Sequence, residues 1–152
     1  LSQKSLSKAT YFALLNNVKQ FKLNNMNTKE TIYNQHAENV EWASKLNFYK
    51  DEVAIMKGRL EEVTSKNNDK DVLAKVEHFQ NQFIIQRNNI DEISHAVKMN
   101  EESLQKEVNS NPVAVDHRKA EYHAKEKDLV DSFEKNFNEL RAEFKAFAAK
   151  WM

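Results

Sequence analysis

Trp42, Leu46, Tyr49, Val53, Met56, Leu60 and Val63 recur at alternating steps of four and three. That alternation belongs to a helix packing along one narrow seam, and seven consecutive matches make a strong heptad signal. A second run obeys the same rule. It reads Val72, Val76, Phe79, Phe83, Gln86, Ile90, Ile93, Val97, Asn100 and Leu104, and only Gln86 and Asn100 are polar. A third carries Val115, Tyr122, Leu129, Phe133, Phe137, Leu140, Phe144, Phe147 and Trp151. Its alternation is clean from Phe133 onward. Lys119 and Glu126 fall on the seam before that point, and Leu129 to Phe133 to Phe137 reads as a stutter, which locally unwinds a coiled coil.

The breaks between runs carry turn chemistry. Ser65-Lys66-Asn67-Asn68-Asp69 supplies a loop and a new helix cap in Asn68 or Asp69. Asn109-Ser110-Asn111 ends the second run, and Pro112 marks a restart because proline suits the first helical position. Asn27 or Thr28, with Glu30 behind it, can open the first helix. The predicted fold is therefore all-α: an antiparallel bundle of three long helices with coiled-coil-like seams, over about 28–66, 69–108 and 112–151. If residues 5–22 form a helix and dock, the bundle gains a short N-terminal fourth.

Folding about the first loop pairs residues whose numbers sum to about 135 or 136. Met56 then meets Phe79, Leu46 meets Ile90, Gln86 reaches the Tyr49 hydroxyl and Gln35 meets Asn100. Gln35 and Asn100 read as a register device, since a misaligned partner leaves a buried amide unsatisfied. Gly58 sits within the first helix, either at a close approach or facing solvent.

Composition narrows the function classes. The chain of 152 residues has one glycine, one proline and no cysteine. A glycine-rich phosphate loop, a glycine-framed nucleophilic serine, a disulfide and a cysteine metal site are all excluded. The formal net charge is zero, which gives no reason to expect nucleic-acid binding. The charge is uneven, however. Residues 1–27 hold Lys4, Lys8, Lys19 and Lys22 and no acid, so this basic N-terminal segment is +4 and the rest of the chain −4. The segment reads either as a loosely attached arm or as a basic amphipathic helix that docks on the bundle or touches a membrane surface. No apolar run approaches the ~20 residues of a bilayer span.

Two constellations could carry function. Glu92-Ile93-Ser94-His95 is a Glu-x-x-His step, which bundle di-metal sites use in pairs. The third helix offers the reversed order, His123 to Glu126, and pairing brings Glu41 to the same height. Glu41, Glu92, His95, His123 and Glu126 are therefore the candidate metal ligands. The set is incomplete, and Glu92 and His95 flank the seam at Ile93, so solvated ion pairs explain it more simply. The aromatic ladder Phe133, Phe137, Phe144, Phe147 and Trp151 is core at its spacing, or a groove for a partner helix that Phe12, Leu15 and Phe21 could cover from within the chain. The expected function is non-catalytic: a cytoplasmic interaction or scaffolding protein, without a cofactor, acting through helix faces on a protein partner or a second copy. A metal-binding bundle and membrane-surface association through residues 5–22 are the alternatives.

Overall fold

The computed structural model describes residues 7–110 and 117–152, with side chains over 7–23, 31–110 and 122–152. Three helices account for nearly all of these residues, and no strand is among them. Helix α1 spans Lys8–Lys66, α2 Lys70–Ser110 and α3 His117–Trp151. Each pair of helices is in contact, as in a bundle. Among the described residues no helix is long and apolar enough to cross a membrane.

The helix ends follow local chemistry. Ser7 caps α1, its hydroxyl accepting from the Thr10 amide at 3.2 Å. The expected start at 28 is therefore corrected: α1 runs straight through that point. No glycine or proline lies between 8 and 57 to stop it. Residues 8–27 extend α1 rather than form a separate helix, and every described side chain from 7 to 23 is exposed. Asp69 caps α2 by accepting from the amides of Asp71 and Val72. Asn67 closes α1, donating from Nδ2 to the Val63 carbonyl and to the Trp151 carbonyl, each at 2.8 Å. One side chain thus ties the C-terminal ends of α1 and α3 together. The Asn111–Pro112 restart and Val115 lie outside the described residues.

Partner numbers give the helix directions. Between α1 and α2, Lys50 meets Asp91, Asn39 meets Asn100 and His36 meets Glu101, so numbers rise on one helix as they fall on the other. Between α1 and α3, Glu38 meets His123, Tyr49 meets Glu134 and Glu52 meets Arg141, rising together. The α1–α2 sums lie near 139 rather than 135 or 136. Side-chain direction accounts for about two residues of this shift. Each side chain leans toward the N-terminus of its own helix, covering a spot about one residue before its own Cα. In an antiparallel pair the two leans add, so contacts fall about two residues beyond the backbone level.

The seams of α1 and α2 bury as their spacing implies. Trp42 through Val63 are buried, as are the α2 positions, with Ile93 only partly so. The α3 seam differs from expectation. Leu129 is 53% exposed and Tyr122 also faces solvent, whereas Val130 is 1% exposed. The buried set runs His123, Glu126, Val130, Phe133, Phe137, Leu140, Phe144 and Phe147, an unbroken alternation of three and four. There is no stutter. Choosing the larger apolar residue at 129 over Val130 creates one falsely, because the true seam passes through two polar positions.

The core is aromatic near the first loop. Phe144 meets Phe79 at 5.4 Å and Phe83 at 5.1 Å, both edge to face, and Phe147 lies 5.0 Å from Phe79. Midway, Tyr49 packs between Phe133 and Phe137, and its hydroxyl donates to Glu134 at 2.9 Å. This corrects the expected Tyr49–Gln86 bond. Tyr49 turns toward α3, and the buried Gln86 Oε1 has no partner among the described residues. Arg141 pairs with Glu52 and lies over the Tyr49 and Phe137 rings, at 5.7 and 5.2 Å from their centroids.

Gly58 lies in open space. A Cβ added there would meet nothing within 4 Å, and its backbone is ordinary helix. Gly58→Ala should therefore stabilise the chain by about 0.5–1 kcal/mol, through the lower entropy of the unfolded state. Chemical denaturation would show a higher midpoint at unchanged slope; a lower midpoint would mean that this face needs close approach.

Candidate functional site

Two features stand apart from an apolar bundle core. One is a buried polar layer; the other is the arm of α1.

The layer lies at the end of the bundle away from the aromatic core. Counting back from Trp42 by three and then four gives Asn39 and Gln35, and both are buried. Asn100 comes across from α2, and His123 and Glu126 from α3. Asn100 Nδ2 donates to Asn39 Oδ1 at 3.2 Å and to His123 Nδ1 at 3.1 Å. With Nδ1 accepting, the ring proton sits on Nε2, which donates to Glu38 Oε2 at 2.8 Å. The imidazole also stacks on Trp42, with ring centroids 4.7 Å apart. At the rim, Asn39 Nδ2 donates to Glu101 at 2.9 Å, and His36 pairs with the same carboxylate. Burial works to raise the Glu101 carboxyl, but these hydrogen bonds and one from Gln105 together hold it below its ordinary value.

The partner of Asn100 is therefore Asn39, not Gln35. The difference is one turn of α1, in the same direction as the register shift along the rest of the α1–α2 pair. Asn39 has a sequence signal, since it sits on the back-extended seam.

Glu126 is the uncompensated member. It is 3% exposed, and neither carboxylate oxygen has a hydrogen-bond partner among the described residues. Burial pushes its pKa up to about 7. The Asn100 amide, which also donates to Asn39 and His123, opposes this.

The five candidate metal ligands do not assemble. Glu41 is exposed and pairs with Lys45 one turn on. Glu92 and His95 are exposed on α2, because they flank the seam instead of lying on it. Only His123 and Glu126 reach the interior. Among the described residues no three His, Asp or Glu side chains could hold a metal ion. The side chain of Lys119 lies outside the described residues.

The aromatic ladder forms core. Phe133, Phe137, Phe144 and Phe147 are buried and Trp151 is half-buried against them. A shallow groove of about 460 Å³ between α1 and α3 reaches Phe144 from outside, lined also by Met56, Arg59, Ala148 and Met152. Phe12, Leu15 and Phe21 do not cover it. They stand on the exposed arm at the other end of α1.

The arm exists because α1 is longer than its partners: 59 residues against 41 in α2 and 35 in α3. Near the end of α2, Ile32, Tyr33 and His36 of α1 line a groove of about 570 Å³ with Leu104 and Val108. Residues before 29 project beyond both partner helices by about 20 residues, roughly 30 Å. Tyr11, Leu14, Val18 and Phe21 are 57, 54, 48 and 60% exposed. They step by three, four and three. Asn25, Thr28 and Ile32 continue the spacing, though not an apolar run, into Gln35, Asn39 and Trp42. The heptad spacing therefore runs from Tyr11 to Val63, with mostly polar positions from Asn25 to Asn39 separating the bare apolar seam of the arm from the covered apolar seam of the bundle. A start at 28 hides this continuity.

Comparison with protein-family models, curated proteins and solved structures yields no match.

Proposed function

We propose that the chain is a non-catalytic interaction or scaffolding protein acting through helix faces. Its body is read as an antiparallel coiled-coil-like bundle of three helices, and its arm as the working surface. The observation behind this reading is the bare seam. Four seam residues of core type are half-exposed in the same heptad phase as a well-covered core. A monomer gains nothing from that placement, whereas assembly buries it.

Leu14→Ser/Val18→Ser tests the reading. Both positions are exposed, so the melt of the bundle should stay unchanged to within about 0.5 kcal/mol. Proteins captured by the full chain from extract of the cells that make it should be lost with the variant. A captured set identical for both chains would refute an interaction through the arm.

A further inference from the structure

The arm's charge selects its occupant. In the phase set by Tyr11, Leu14, Val18 and Phe21, Lys8 and Lys22 fall on one flank of the seam, with Lys19 just beyond. Thr10 and Asn17, on the other flank, are uncharged. No acid lies anywhere in residues 1–27. From the arm's exposed apolar seam, in heptad phase with the bundle core, and from its one-sided lysines, we infer that the arm takes an acidic helix of another protein: one with an apolar heptad seam flanked by carboxylates. This rests on the helix-face reading above and gives the partner its chemistry.

Two other occupants fit less well. A second copy pairing arm to arm sets the lysines against lysines if antiparallel and against the uncharged Thr10 and Asn17 flank if parallel, and in neither case does it supply an acid to answer them. A membrane surface wants an unbroken apolar face with its lysines on the polar side. Viewed down the helix at about 100° per residue, Lys22, Lys8 and Lys19 lie between Tyr11 and Phe12, inside the apolar arc. The lysine-free stripe spans only about 80°, the narrow width of a coiled-coil seam rather than of an interfacial helix.

The test uses the full chain and three probes. One is a fluorescent heptad peptide with leucine and isoleucine in its seam and glutamate on both flanks. The second is the same peptide with lysine for glutamate. The third is vesicles of equal parts phosphatidylglycerol and phosphatidylcholine. The acidic peptide should bind about tenfold or more tightly than the lysine peptide at low salt, with the gap closing as salt rises. Lys8→Glu/Lys22→Glu should reverse the preference, and Leu14→Ser/Val18→Ser should lose both peptides.

Equal binding of the two peptides would overturn the acidic occupant while leaving the helix-face reading in place. Vesicle binding with neither peptide bound would overturn it in favour of a membrane. Concentration-dependent dimers lost in Leu14→Ser/Val18→Ser, with neither peptide bound, would overturn it in favour of a second copy. Failure of every probe would overturn it outright.

Discussion

Phe144→Ala and Phe83→Ala should each lower the unfolding free energy by about 3–5 kcal/mol. The two rings are 1% and 3% exposed and meet edge to face, and both reach Phe79. Truncation removes the transfer free energy of a ring and leaves a cavity, because neighbours set by three helix backbones cannot collapse to fill it. The loss should be the largest for any single apolar position near the first loop, where the core is aromatic from both α2 and α3. Leu129→Ala is the natural control, since a half-exposed leucine should cost no more than about 0.5 kcal/mol. Urea denaturation of the three variants checks both the aromatic core and the seam passing through Val130. If Leu129→Ala were as costly as Phe144→Ala, the third helix would be rotated from the position described.

Those rings were legible in the sequence because apolar side chains at alternating steps report directly on what a helix must bury. The same is true of Trp42 to Val63 and Val72 to Leu104. Legibility ended where the seam turned polar. Glu126 is placed on the seam by its spacing, but Asn39 and His123 occupy core positions without looking like core, so a search for apolar residues passes over Asn39, takes Tyr122 for His123 and prefers Leu129 to Val130. The register error has another source. Chain arithmetic locates backbones, but contacts are made by side chains that lean, which is part of why Asn100 meets Asn39 and not Gln35, one turn away. The start of α1 was misplaced because Asn27 and Thr28 resemble a cap, although Ser7 caps the same helix two heptads and more upstream. The arm's meaning depends on that start. A seam is recognisable as bare only once it is known to be one helix with the covered part.

Replacing Glu126 should make the protein more stable at pH 8 and change little at pH 5. The carboxyl has an ordinary value of 4.5 and is pushed to about 7 in the fold by burial. Between those values the folded state holds a proton that the unfolded state has released, so stability attached to this group falls as pH rises. The favourable condition is complete below about pH 4.5, is lost progressively toward pH 7, and the loss is full above it. A shift of that size corresponds to roughly 3 kcal/mol if fully expressed, and relaxation around the buried charge reduces it to about 1–3 kcal/mol. Glu126→Gln keeps the shape and removes the charge. Its stability minus that of the parent chain should be near zero at pH 4, small at pH 5, and reach about 1–3 kcal/mol in favour of the variant at pH 8. Taking the difference at each pH cancels, to first order, the other groups of the layer, His36, Glu38, Glu101 and His123, which are present in both chains. Denaturant midpoints measured across that range decide it. Parallel curves would mean that the Glu126 carboxylate finds a partner, whereas curves that diverge with rising pH would show a bundle holding one buried acid against its own stability.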